Sequence, residues 1–222
     1  VYVSNFGTVH AYQATPSAPT ASPTAPMLPT ETWVAGQHLV RGTAIEGSLG
    51  VARFDRPKTV DCDTVTSDII VTDNENNLVR RISVQGRVNT WVGDGTRATL
   101  PGVTTSAQIS SPRDTAIDPS GIAYVVETYG CTIAKITAAG SLTTHMGTAL
   151  SCTHGNGVGA AALLKNPYGI VIFGTDLFVS ESSAYLRRVL VSDGTASDFA
   201  GSGVSGCLDG PLGTGKLAGG NP

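Results

Sequence analysis

The chain has 222 residues, 14% of them charged, and a formal net charge of −3. So weak a field argues against nucleic acid as a partner. Twenty-seven glycines, 12 prolines and a surplus of strand formers over helix formers point to an all-β fold with many turns. No apolar run nears the ~20 residues that span a bilayer, and the longest, Gly169-Ile170-Val171-Ile172-Phe173, has strand length. The chain starts at Val1 with neither initiator methionine nor signal peptide, so it is expected to be a piece of something longer.

Pro57, Pro112, Pro167 and Pro222 stand at a constant interval of 55 residues, and a fixed period of this size marks a repeat array. In chain order, residues 1–50 predict a partial unit with strands at 1–5, 9–12 and 32–36. Residues 51–105 predict strands at 58–63, 68–73, 78–82 and 87–92. Residues 106–160 predict strands at 114–118, 121–127, 132–136 and 141–146, and residues 161–205 at 169–172, 176–181, 186–190 and 195–200. Residues 206–222 repeat the lead-in to a further unit. Glycine turns at Gly86, Gly140 and Gly194 separate the last two strands of each full unit.

Each full unit is thus a four-stranded antiparallel meander. One such sheet cannot bury both faces, and a ring of sheets limits the exposed edges. The expected fold is therefore a β-propeller with three full blades and two partial ends.

The middle of residues 51–105 runs Ile69-Ile70-Val71-Thr72-Asp73-Asn74-Glu75-Asn76-Asn77-Leu78-Val79-Arg80-Arg81-Ile82, then Gly86-Arg87-Val88-Asn89-Thr90-Trp91-Val92-Gly93. This resembles the NHL repeat family: a start at proline, an apolar strand ending in Asp, an Asn/Arg-rich third strand and a glycine-flanked fourth. The other units keep the frame and lose the asparagines. The likeness covers nearly all of residues 31–222. It implies a ring of mostly six blades, completed by sequence outside this chain or by another chain.

An acid and a base recur at each second hairpin: Asp73 with Arg81, Glu127 with Lys135, Glu181 with Arg188. A pair repeated in every unit does one structural job, so these read as ion pairs fixing the hairpins. The family pattern implies the same acid and base. Gly210-Pro211-Leu212-Gly213-Thr214-Gly215-Lys216 imitates a phosphate-binding loop, but Leu217 replaces the Ser/Thr that loop needs and no helix follows. Asp94-Gly95, Glu46-Gly47 and Asp209-Gly210 read as turns, each too poor in carboxylates for calcium. His145 stands where sister units have Trp91 and Phe199, so it reads as a packing substitute. His10, His38 and His154 form no metal-binding spacing. No cofactor is expected.

Four cysteines allow three pairings into two disulfides. Cys131 with Cys152 is the preferred pair, because their loops share one face. Cys207 lies at the same offset as Cys152, and Cys62 falls inside a strand with no evident partner. Between residues 14 and 30, Thr15, Pro16, Ser17, Pro19, Thr20, Ser22, Pro23, Thr24 and Pro26 form a Ser/Thr/Pro stretch. Such stretches favour extended polyproline II and accept O-glycans. The spacing resembles hydroxyproline-rich wall glycoproteins.

The function expected from these residues is a non-enzymatic extracellular binding or structural module of a secreted glycoprotein, within a cell-surface or filament assembly. Its partners would be proteins or further copies, meeting propeller faces and blade edges, or glycans. One alternative is a propeller-type hydrolase or lyase with a metal in the central channel, where Asp61, Asp63, Asp114 and Asp118 offer carboxylates. The other is a carbohydrate-binding module.

Overall fold

The computed structural model describes residues 2–5, 8–12, 31–36 and 42–218, with 2–5, 8–12 and 31–34 described by backbone alone. The insert with its glycosylation candidates, His38 and Pro222 lie outside the described residues.

The fold is an all-β propeller. The first sheet contains β1 (Tyr2–Asn5), β2 (Thr8–Tyr12) and β3 (Glu31–Ala35) in sequence order. The next blade contains β5 (Pro57–Cys62), β6 (Ile69–Asp73), β7 (Leu78–Ile82) and β8 (Arg87–Val92), edged by the short β4 (Gly47–Ser48). The middle blade repeats this with β10 (Pro112–Ile117), β11 (Ala123–Glu127), β12 (Thr132–Ile136) and β13 (Ser141–Met146), edged by β9 (Gly102–Val103). The third blade contains β14 (Pro167–Phe173), β15 (Asp176–Glu181), β16 (Leu186–Leu190) and β17 (Ala196–Ala200), and Gly157 bridges to Ala196 at its outer edge.

The edging strands amend the four-stranded expectation. The segment leading into each blade crosses to the far side and pairs with the last strand, which covers an edge that would otherwise stand open.

Alternation explains the packing. Side chains of one parity in β6, β11 and β15 face one neighbouring blade, and the other parity faces the next. Ile70, Val79, Trp91 and Val92 of the first full blade therefore share a core with Ile109, Val125, Ala134 and Ile136 of the middle one. Tyr124, Ile133 and Met146 in turn share a core with Leu164, Leu177, Val179 and Val189. β11 is buried on both faces, as a strand between two blades must be.

The innermost strands adjoin in series, with β10 between β5 and β14. Polar staples cross these junctions. Asn74 donates to the Pro112 carbonyl at 3.0 Å, and Thr128, at the same offset, donates to the Pro167 carbonyl at 2.8 Å.

One backbone requirement recurs. Gly93, Gly147 and Gly201 follow the fourth strands at φ of 110°, 95° and 91°. A Cβ there would collide with the carbonyl oxygen of Asn77, Cys131 and Ala184 respectively, so only glycine closes this corner.

Candidate functional site

The repeated frame places one buried acid per full blade at the end of the second strand: Asp73, Glu127 and Glu181. Their bases differ from the expected ones. Asp73 pairs with Arg80 at 3.2 Å and Glu181 with Arg187 at 2.8 Å, all four side chains fully buried. The reason is strand parity. Val71 faces Arg80 across the hairpin, so Asp73 shares the Arg80 side while Arg81, opposite Ile70, points to the other face. Arg81 lies over Trp91 at 4.2 Å and beside Asp63 and Asp68, and Arg188 pairs with Asp176 at 2.8 Å. Lys135 sits at the same outward parity, its ammonium 5.9 Å from the Tyr124 ring centre.

The buried arginines hold the incoming loop to the blade. Arg80 donates to the carbonyls of Ile45 and Arg53, and Arg187 to those of Gly155 and Leu163. The middle blade has Ala134 at this position, opposite Val125. Glu127 instead accepts directly from Thr99, the Ser110 backbone and Thr132, at 2.7, 2.7 and 3.0 Å. Burial with no cation pushes its carboxyl up to about 7. Burial also raises Asp73, but hydrogen bonds from Asn76 and the Asp55 amide, then Arg80, restrain it at about 6.

The third blade adds unlike groups to this frame. The loop position held by Ala44 and Thr99 becomes His154, and the fourth-strand position held by Thr90 and Thr144 becomes Asp198. His154 Nδ1 lies 3.0 Å from Glu181 Oε2 and 3.2 Å from Arg187 Nη1; as a donor it serves the first, as an acceptor the second. Its Nε2 lies 3.1 Å from Asp198 Oδ1. Arg187 Nε stands 3.1 Å from the same oxygen, as an ion-pair contact rather than an aligned hydrogen bond. Ser183 Oγ donates to Glu181 Oε2 at 2.6 Å.

The imidazole stacks on Tyr185, centroids 4.1 Å apart and planes 15° from parallel. Gly203 closes on that same ring: at φ of 71°, a Cβ there would come within 2.7 Å of the Tyr185 hydroxyl. His154, Ser183, Tyr185 and Gly203 wall a hollow of about 400 Å³ together with Cys152, Lys165 and Ser202, whose buried hydroxyl has no hydrogen-bond partner among the described residues. A hollow of about 600 Å³ occupies the same offset in the first full blade, lined by Ala44, Glu46, Glu75 and Thr90 among others.

Sequence reasoning left His154 among the scattered histidines. A signal existed, because Ala44, Thr99 and His154 stand one 55-residue period apart.

The four channel aspartates serve structure. Asp61 accepts from the Ile117 amide at 3.2 Å and Asp114 from the Ile170 amide at 2.9 Å, each joining neighbouring blades. Asp63 caps the turn at Val65 and Thr66, and Asp118 the turn at Ser120 and Ile122. Among the described residues no three His, Cys, Asp or Glu side chains group as metal ligands. The imitation phosphate loop is a β-bridged turn, with Leu208 paired to Lys216. Cys131 and Cys152 form a disulfide with Cα atoms 5.2 Å apart, while Cys62 and Cys207 are exposed free thiols. His145 bonds the Leu190 carbonyl and meets Tyr124 edge-on at 5.1 Å, and burial lowers its pKa.

No protein-family model matches the chain, and no curated protein matches it. Solved structures do. An auxiliary nutrient binding protein from Bacteroides thetaiotaomicron superposes with a TM-score of 0.63 at 14% identity, over 86% of this chain and 44% of the other. One from Bacteroides ovatus gives 0.59 at 19% identity, over 74% and 42%. A protein of unknown function from Bacteroides thetaiotaomicron gives 0.58 at 18%, over 70% and 38%. The chain spans less than half the length of each, and at these identities the likeness is one of fold.

Proposed function

We propose that this chain belongs to a secreted NHL-like propeller whose third-blade hollow binds a small hydroxylated ligand, of carbohydrate type, without turning it over. The observation that carries the reading is the departure of His154 and Asp198 from an otherwise repeated frame. A structural pair needs neither, since Asp73 and Arg80 do the same work without them.

The order of the groups speaks for binding. In a hydrolytic triad the imidazole stands between the nucleophile and the acid. Here Glu181 stands between Ser183 and His154, so the serine proton is directed at a carboxylate and not at the imidazole. The hollow therefore offers fixed polar walls, with Ser202 and Lys165 as available contacts beside the His154 ring that Asp198 holds. The nutrient-binding names of two similar structures accord with this. The disulfide accords with an oxidising, extracellular setting.

Titration calorimetry against a panel of neutral mono- and oligosaccharides tests the proposal, with product analysis by chromatography. Saturable binding, weakened at least tenfold by His154→Ala with the substrate recovered intact, supports it. Released product, or no binder on the panel, overturns it.

Assembly through propeller faces and blade edges, here the inner edge of the third blade, is a second proposal. It rests on the third blade, where Val171 is 58% and Phe173 79% exposed on β14. Sedimentation of wild type against Phe173→Glu would show self-association lost in the variant; a wild-type monomer at all concentrations refutes it.

A further inference from the structure

We infer that the face carrying Arg97, Arg113, Tyr129 and Tyr168 binds an acidic polysaccharide through its carboxylate or sulfate groups. The inference stands apart from the hollow of the third blade.

Two cation–π stacks lie side by side there. The Arg97 guanidinium rests 5.1 Å from the Tyr129 ring centre, and that of Arg113 lies 4.4 Å from Tyr168. The two tyrosines belong to adjacent segments, since the Thr128 hydroxyl donates to the Pro167 carbonyl at 2.8 Å. The Cys131–Cys152 disulfide pins the turn that carries Tyr129, with both sulfurs against its carbonyl. Thr59 and Thr72 hold the Arg113 carbonyl from the neighbouring blade. The guanidiniums are thus mounted on braced backbone.

Their charge is uncompensated. Neither Arg97 nor Arg113 meets a carboxylate among the described residues. The contrast with the first full blade shows why. Two residues after its buried acid stands Glu75, which takes Arg56 into an ion pair at 2.9 Å. In the middle blade the same offset holds Tyr129, and an arginine lying over a ring keeps its full charge and its donor edges. Lys58 occupies the offset of Arg113 one blade back, immediately after its proline. Burial first, then the charges of Arg113 and Arg56, hold its ammonium below the usual value against the opposing charge of Glu75. This concentration runs against a chain whose net charge is −3.

Planar guanidinium forks match carboxylates and sulfates. A polysaccharide fits better than an acidic peptide for two reasons. The strands meet this face end-on, so no sheet edge is offered to a peptide main chain. Tyr129, 50% exposed, presents ring edge and hydroxyl beside the cation, which suits a pyranose carrying an acid.

The test uses the full chain with soluble polygalacturonate, dextran sulfate, poly-glutamate and a duplex DNA oligonucleotide, measured by biolayer interferometry at low and physiological salt. Binding of polygalacturonate, dextran sulfate or both is expected, and the comparison of those two tells a carboxylate source from a sulfate source. The double variant Arg97→Ala/Arg113→Ala should weaken it at least tenfold, and Tyr129→Glu, which supplies the acid found in the first full blade, should do the same. Arg87→Ala, exposed at the opposite ends of the strands, should leave it unchanged. Circular dichroism establishes that each variant is folded. Equal or tighter binding of poly-glutamate or DNA, no binding of either glycan, or binding indifferent to the double variant each overturns the inference.

Discussion

Replacing Glu127 by Gln should change how stability responds to pH. The folded carboxyl titrates at about 7 against an ordinary value of 4.5. The folded state therefore holds a proton that the unfolded state has released between those values. Stability must then fall as pH rises through this window, the reverse of an acid held by a salt bridge. A displacement of this size corresponds to about 3 kcal/mol at 1.36 kcal/mol per unit, of which about 2–3 kcal/mol develops between pH 5 and pH 8. Glutamine keeps the acceptor for Thr99 and the Ser110 amide and offers its NH₂ to the Thr132 hydroxyl, so the packing survives. Urea unfolding followed by tryptophan fluorescence at a series of pH values measures the difference between the two proteins. That difference should be small at pH 5 and favour the variant by about 2–3 kcal/mol at pH 8. Asp73 and His145 titrate in both proteins and cancel in the comparison. A pH-independent difference would show that Glu127 is ionised throughout, and the reasoning from burial would fail.

Arg187→Met leaves Glu181 buried without its cation and should cost about 3–5 kcal/mol, whereas Arg188→Met, whose pair is half exposed, should cost under about 1 kcal/mol; denaturant midpoints separate the two. Gly147→Ala forces a Cβ against the Cys131 carbonyl at positive φ, and a loss of about 2 kcal/mol or more is expected in the same assay. Cys152→Ser opens a disulfide spanning 21 residues. The chain-entropy cost is about 3 kcal/mol. Thermal unfolding with and without reductant should show a drop in wild type and none in the variant.

The period and the glycine corners made the fold legible, because a propeller repeats its backbone and so repeats the residues that backbone demands. Spacing alone did not resolve parity. Arg80 and Arg81 are adjacent in sequence, and only the register of the hairpin, Val71 opposite Arg80, decides which one faces Asp73. The edging strands were hidden for another reason. Gly47-Ser48 and Gly102-Val103 are too short and too plain to read as strands, and they become strands because an open edge lies within reach. His154 keeps the period of Ala44 and Thr99, whereas Asp198 was legible only after stacking the strands, since the proline anchor drifts as the first hairpin shortens from blade to blade: Pro57 pairs with Asp73, but Pro167 with Glu181.

One structural problem, holding the incoming loop onto the blade, has two solutions in this chain, and the difference has consequences. In the first full blade and the third, a buried arginine reaches the loop carbonyls and its charge is answered by the acid. In the middle blade the acid itself reaches the loop, through Thr99 and the Ser110 amide, and Ala134 leaves its charge unanswered. Ionisation there leaves a buried charge without a cation and weakens the attachment. The disulfide sits at this same corner, tying the turn after Glu127 to the loop that leads toward His154. A covalent tie is most useful where the noncovalent one titrates. If the two ties act independently, Cys152→Ser combined with Glu127→Gln should be less destabilising at pH 8 than Cys152→Ser alone, with the pH dependence assigned to Glu127 gone.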